Sequence, residues 1–244
     1  MGKVWVTVAA FFLLLGLNAY ALEISVGVNY SDLDLSGKVK SDGTEIDLED
    51  DLGIGDDEPT GLSLRLDGGR HHLWFNFASI EFSGSKIINR QFTFRNKTYA
   101  VSSLVDSKLE YDLYQLQYHY DLINIGEIFE LSPLFKVSLY DAEVRIKSST
   151  YDESYKETLP LPTLGLLGRL NLSEYIDFYA QVSGIGYSGD TYIEYKTAVI
   201  LRPIQYSNLE IGYKAMDVDY SDDDNLIDIK NSGFFALVNF TYAF

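Results

Sequence analysis

The stretch NSGFFALVNFTYAF, residues 231–244, has an apolar side chain at every second position. Counting back in twos from the last residue gives one apolar face, made up of Phe244, Tyr242, Phe240, Val238, Ala236 and Phe234. The positions between them include Asn239 and Thr241. Successive side chains of a β-strand point to opposite faces, so this period of two predicts a strand between an apolar and a polar environment.

The first residues have the features of a secretory signal peptide. Lys3 supplies a positive charge, residues 4–17 are an apolar run, and residues 18–21 end in the small-residue pattern Ala-Tyr-Ala. The apolar run is shorter than the roughly 20 residues that a transmembrane helix needs. We therefore expect cleavage after Ala21, which divides the chain into a signal peptide, 1–21, and one domain, 22–244.

Composition narrows the class of protein. The chain contains 19 Tyr, 14 Phe and 19 Gly, yet its mean hydropathy is only −0.05 although 46% of its residues are hydrophobic. Alternating strands produce such an average, because each apolar residue is followed by a polar one. The absence of cysteine excludes a disulfide framework and thiol catalysis, and the net charge of −17 argues against nucleic acid as a partner.

Ten segments with period two follow the signal peptide and are separated by turn residues. They are 24–30, 62–66, 73–77, 114–120, 131–139, 164–172, 176–182, 193–201, 209–215 and 231–244. Eight strands remain the alternative, because the irregular stretch 80–109 leaves the pairing open.

The connections between these segments alternate between two ends of the predicted sheet. One end has 37–59, 84–104, 147–158 and 221–225 with the short turn 186–190, and the other has 67–71, 121–129, 172–175 and 202–207. In three segments the apolar phase also shifts by one residue, at 30–33, 77–80 and 139–144. We expect β-bulges at these places, on the long-loop side.

The terminal pattern resembles the C-terminal signal of bacterial outer-membrane β-barrel proteins, with Phe240, Tyr242 and Phe244 at its aromatic positions. The resemblance implies an all-β fold, a transmembrane antiparallel up-and-down barrel whose last strand pairs with its first. It also implies a place in the outer membrane, recognition by the barrel-assembly machinery, and contact with outer-membrane lipid and lipopolysaccharide. Long loops then face the outside and short turns face the periplasm. We expect a monomer.

Nine charged residues lie on the polar faces of the predicted strands, which point into the barrel. They are Glu23, Arg65, Lys136, Arg169, Asp177, Glu194, Lys196, Glu210 and Lys214. Because the signs nearly balance, the sequence predicts a salt-bridge network that fills a narrow lumen. The alternative is a narrow channel for small hydrophilic solutes or ions, although a selective pore would show one dominant sign.

Most of the negative charge lies in two regions at the long-loop end. Residues 32–58 contain eleven acids and two lysines, and residues 217–228 contain six acids and no base. Residues 83–103 carry four bases and no acid, so we expect them to pair with the acidic loops in a salt-sensitive way. Oxygen ligands suit divalent cations, which makes Asp222, Asp223 and Asp224 a possible metal site beside the simpler interpretation as solvated charge.

No catalytic motif is present in the sequence. The three histidines, His71, His72 and His119, flank short turns and are therefore predicted at the periplasmic end, away from the rim. A membrane-embedded hydrolase would depend on an acidic pair such as Asp217 and Asp219. The sequence therefore favours a non-enzymatic protein without a cofactor, with a structural or surface-interaction role carried by acidic extracellular loops.

Overall fold

A computed structural model describes residues 22–41, 44–187, 189–221 and 226–244. Ten long strands form one closed antiparallel sheet: β1 (Leu22–Ser41), β2 (Thr60–Gly68), β3 (His71–Ile87), β4 (Leu104–Tyr120), β5 (Phe129–Ser148), β6 (Asp152–Ser173), β7 (Ile176–Tyr187), β8 (Asp190–Ile204), β9 (Ser207–Ser221) and β10 (Leu226–Ala243). The predicted ten-stranded barrel is therefore confirmed. Among these residues, no helix has the length and hydropathy to cross a membrane. The predicted signal peptide, 1–21, lies outside the described residues.

The barrel closes between its last and first strands, as the terminal pattern predicts. The pairing of β10 with β1 runs without interruption from Glu23 opposite Ala243 to Lys40 opposite Leu226. Apolar side chains at this seam point outward, and Val28 and Val238, which face each other, are 52% and 41% exposed. Closure gives both edge strands a partner along their length, which is the condition for a sheet to cross a bilayer.

Several strands are longer than the sequence predicts. Residues 147–158, predicted as a loop, are mostly strand, because β5 ends at Ser148 and β6 begins at Asp152. The loop after β1 contributes two short strands, Thr44–Asp47 and Asp56–Asp57, which pair back onto β1.

Two further connections contain short strands. The loop after β3 folds into a hairpin of Phe92–Phe94 and Lys97–Tyr99, and Ile123–Ile125 pairs with β5 at the short-turn end.

The three predicted bulges at 30–33, 77–80 and 139–144 are wrong, since the strand pairing is continuous through each of them. The apolar residues change face there because the surroundings of the barrel wall change. Beyond Tyr30, Leu33 and Leu35 point inward and are 2% exposed, while Asp32 and Asp34 point outward. Register shifts occur instead at the short-turn end, at 171–173 and 201–204.

The upper part of the lumen is filled by an apolar plug, which we define as residues 44–54 and 88–99. Its buried side chains include Ile46, Leu52, Ile54, Phe92 and Tyr99, each no more than 2% exposed, and they pack against inward apolar residues of the barrel wall. Full burial of one such side chain stabilises the fold by roughly 1.5–3 kcal/mol.

The plug approaches the backbone of the wall closely at Gly84 on β3. A Cβ atom at Gly84 would lie 2.3 Å from the backbone of Gly53, so only glycine allows this contact.

Candidate functional site

The lower lumen contains a buried ion pair between two strands that are not neighbours in the sheet. Arg65 on β2 pairs with Glu210 on β9, and their side chains are 8% and 0% exposed. Tyr179 donates a hydrogen bond of 3.2 Å to the second carboxylate oxygen of Glu210, and the Arg65 guanidinium lies 4.3 Å from the centroid of the Trp74 ring. Each buried charge therefore has a compensating partner, as burial in a low dielectric requires.

A second group of polar side chains crosses the lumen from β4 and β5 to β7 and β8. Lys136 pairs with Glu194, and Gln115 Nε2 donates to the same carboxylate over 3.2 Å. Gln117 and Gln181 exchange two hydrogen bonds of 3.2 and 2.9 Å. These contacts tie strands that are far apart in the sheet, and they occupy the middle of the lumen.

The other predicted lumen charges find different partners or none. Arg169 lies 3.8 Å from Glu130, and Asp177 accepts a hydrogen bond of 2.9 Å from Arg202. Sequence reasoning missed Glu130 and Arg202 because both stand at strand ends, where inward and outward positions are hard to assign. Glu23 is exposed at the end of the barrel, and no salt bridge to it occurs in the described part of the chain.

Lys196 and Lys214 differ from the other predicted lumen bases, because no acidic partner in the described sheet balances them. They are directly opposite each other on β8 and β9, and neither forms a salt bridge within the described residues. The Lys196 ammonium instead lies 4.5 Å from the centroid of the Phe235 ring. With Lys136, the two lysines line an internal cavity of about 130 Å³. Glu194 also lines this cavity, so three lysines and one acid leave it with a positive net charge. Like charges directly opposite on neighbouring strands destabilise a sheet.

A histidine cluster lies inside the barrel near the short turns. His72 is held between two carboxylates, with Nδ1 at 2.6 Å from Asp67 and Nε2 at 2.9 Å from Asp121. His119 is 1% exposed, and its ring stacks on that of His72 with 4.5 Å between centroids. Burial raises the pKa of Asp121, but hydrogen bonds from His72 and Ser132 outweigh burial and lower the pKa to about 2. The predicted position of the histidines is confirmed, whereas their association is not evident from the sequence.

The base-rich loop pairs with the acidic loop, as the sequence predicts. Arg90 Nε donates hydrogen bonds of 2.9 and 3.1 Å to the two carboxylate oxygens of Asp51, and Lys86 Nζ donates to the Glu49 carbonyl over 3.2 Å. Burial raises the pKa of Asp51, but hydrogen bonds from Arg90 and the Asp47 N–H outweigh burial and hold this pKa below its ordinary value. The two loops are thus joined within the plug.

Two other predicted sites have simple outcomes. Asp222, Asp223 and Asp224, proposed as cation ligands, lie outside the described residues. The aromatic residues of the terminal pattern point outward and are well exposed, with Phe240 at 66%, Tyr242 at 64% and Phe244 at 72%.

Comparison with known proteins supports the same fold. No protein-family model and no curated protein sequence matches the chain. The β domain of the Bordetella autotransporter Brka is 13% identical with a TM-score of 0.53, and the match covers 92% of this chain and 100% of that one. The translocator domain of autotransporter NalP from Neisseria meningitidis is 12% identical with a TM-score of 0.46, over 98% and 95% of the two chains.

Ail, the attachment invasion locus protein of Yersinia pestis, crystallised with the heparin analogue sucrose octasulfate, is 12% identical with a TM-score of 0.43, over 92% and 100%. Identities this low indicate a shared fold alone. The chain therefore has the fold of the bacterial outer-membrane β-barrel proteins.

The lysine cavity predicts opposite effects for two matched substitutions. Lys214→Met removes one of two facing ammonium groups, so we expect it to raise the free energy of unfolding by up to about 1 kcal/mol. Lys136→Met leaves Glu194 without its cation, so we expect a loss of about 3–5 kcal/mol. Unfolding of both variants in detergent micelles, followed by circular dichroism, measures these changes. A loss for Lys214→Met equal to that for Lys136→Met would contradict this interpretation.

The Asp51–Arg90 contact predicts that closure of the plug depends on pH. A carboxylate whose pKa is lowered by folding stabilises the folded form above its ordinary pKa of about 3.9, and this contribution disappears as the pH falls through the lowered value. Hydrogen exchange of residues 44–54 should show faster opening in Asp51→Asn than in the wild type at neutral pH, and equal opening energies at low pH. Glu49→Gln, whose side chain takes no part in the contact, serves as the control. A difference that persists in acid would refute the assignment.

Proposed function

We propose that the protein is an outer-membrane barrel that does not conduct solutes and acts at the cell surface through its extracellular part. The apolar plug is the observation that carries this proposal. It fills the upper lumen with side chains such as Ile46, Leu52 and Phe92, which are no more than 2% exposed. Hydrated ions do not cross a packed apolar layer, and the Arg65–Glu210 pair occupies the lumen below it.

The outer surface supports a position in a membrane. Phe77, Tyr114 and Leu139 form one outward row across β3, β4 and β5, and all three are apolar or aromatic. The next outward row contains Ser79, Asp112 and Asp141, and the one beyond it contains Glu81, Glu110 and Glu143. An apolar band that ends this sharply is the pattern of a wall leaving a bilayer. The strands continue above it, as a charged wall in water.

Just above the apolar band, the outward face of β1 carries acidic side chains close to the expected lipid headgroups. Asp32 and Asp34 follow Tyr30 on the outward face, and Asp34 pairs directly with Asp56 on the short strand. Lipopolysaccharide presents phosphates of the same sign, so contact is favourable when divalent cations bridge the two. We therefore propose lipopolysaccharide, through divalent cations, as a partner of this surface, with the barrel acting as a monomer. The exposed aromatic residues at the end of β10 remain the proposed signal for the barrel-assembly machinery.

The alternative functions have weaker support. The lysine cavity favours an anion path if the barrel conducts, but the apolar plug lies above it and the Arg65–Glu210 pair lies below it. An enzyme at the rim lacks support, because the histidines lie at the opposite end. Asp217 lies 3.8 Å from Lys230, which favours pairing over catalysis. We propose a non-enzymatic role.

Electrical recordings test whether the barrel conducts. We expect residues 22–244, refolded and inserted in a planar bilayer, to show no discrete openings, because the plug and the charged layers close the lumen. Folding is checked on the same sample by circular dichroism and by a heat-dependent shift in electrophoretic mobility. Steady single-channel openings would overturn the non-conducting proposal and favour the channel.

Binding of divalent cations tests the surface role. In vesicles containing lipopolysaccharide, millimolar Mg²⁺ should raise the thermal unfolding midpoint of the wild type, and the double variant Asp34→Asn, Asp56→Asn should lose most of this increase. Glu127→Gln removes an exposed acid at the short-turn end and serves as the matched control. An equal increase in the wild type and the double variant, or an equal increase in vesicles without lipopolysaccharide, would contradict the proposal.

A further inference from the structure

Three metal-ligand side chains converge inside the barrel near the short turns. His72, His119 and Asp121 each offer one donor atom, and these atoms all lie within 4.8 Å of one another. His119 and Asp121 are buried, at 1% and 8% exposure, and His72 is partly buried. The cluster belongs to neither the lysine cavity nor the plug, so the proposed surface function leaves it unexplained.

The strand register brings these residues together. His72 on β3 lies directly opposite His119 on β4, and both point into the lumen. Directly opposite residues have Cβ atoms about 5 Å apart, a separation from which two imidazole rings reach one ion. Asp121 follows His119 by two residues and therefore returns to the same side of the wall.

Two further side chains orient the ligand atoms of His72 and Asp121 through hydrogen bonds. Asp67 accepts from His72 Nδ1 over 2.6 Å, which directs His72 Nε2 toward Asp121. Ser132 donates to the other Asp121 oxygen over 2.7 Å. A carboxylate that orients a histidine through its second nitrogen is the usual support of a metal-binding histidine.

One nitrogen of the cluster has no partner. His119 Nδ1 is buried without a hydrogen bond in the described part of the chain. A buried polar atom without a hydrogen bond lowers the stability of the fold by roughly 1–3 kcal/mol. An unpaired ring nitrogen beside two oriented metal-ligand atoms therefore requires an explanation.

The geometry points to a binding site for a divalent first-row transition metal, with Zn²⁺ as the best fit, formed by His72, His119 and Asp121. Two imidazoles and one carboxylate suit Zn²⁺ and its neighbours, whereas Ca²⁺ and Mg²⁺ prefer oxygen ligands throughout. Binding replaces the proton that His72 Nε2 shares with Asp121, and this proton is released to solvent. Because the two rings are stacked, His119 turns its ring toward the ion when it binds. The ion joins β3 to the end of β4 and leaves a coordination position for water.

Cobalt serves as the spectroscopic probe for this site. The full mature chain, residues 22–244 without an affinity tag, is folded in detergent micelles, treated with chelator and titrated with Co²⁺. We expect one equivalent to bind and to produce the visible absorption of tetrahedral Co²⁺, which Zn²⁺ then abolishes. No stoichiometric binding by the wild type would overturn the proposal.

Variants separate this site from surface histidines. His119→Gln should weaken Zn²⁺ binding at least 100-fold, and Asp67→Asn, which keeps all three ligands, should weaken it by roughly 10–100-fold. His71→Gln is the matched control, because His71 neighbours the site in sequence but bonds to Tyr118 elsewhere. Circular dichroism confirms that each variant is folded. Equal losses for His71→Gln and His119→Gln, or full affinity in a folded Asp67→Asn variant, would refute the site.

Discussion

The hydrogen-bonded closure of β10 onto β1 is the constraint on which the rest of the molecule depends. A strand in a bilayer has no water to satisfy its backbone, so every N–H and C=O needs a neighbouring strand. In the upper half of β6, the edge that faces β7 has no partner strand in the described sheet. Pairing with β7 begins only at Leu164, opposite Gly184. Pro160 and Pro162 stand in this half and have no N–H group to leave exposed. The chain thus limits backbone exposure where a neighbour is missing.

Closure also determines which charges meet inside. Arg65 and Glu210 are 145 residues apart and approach only because closure leaves just β10 and β1 between their strands, β9 and β2. In such an interior a charge needs a partner, and most of the predicted inward residues have one. Lys196 and Lys214 do not, since the register of β8 on β9 places one opposite the other.

Period two predicts which face a residue occupies, and register decides which residues become neighbours. The strand number and the inward set of charges follow from alternation and turn chemistry, and the closing seam follows from the resemblance of the terminal pattern to that of outer-membrane barrels. Partners across the lumen do not follow, because no local pattern encodes a contact between β2 and β9. The histidine cluster contains one feature that the sequence predicts and one that it does not. Leu73 faces outward, so alternation places His72 inside, but its pairing with Asp121 depends on how β3 lies against β4.

The wrongly predicted bulges show that a change in apolar phase has two physical causes. A bulge shifts the backbone, whereas a change of surroundings reverses which face is apolar and leaves the backbone regular. Here the outside changes from an apolar band to charged rows, while the inside changes from polar side chains to the plug. Because the reversals on β3 and β5 both follow the row of Phe77, Tyr114 and Leu139, they lie at one level of the barrel. Independent bulges would have no reason to align across neighbouring strands, whereas a membrane boundary requires it.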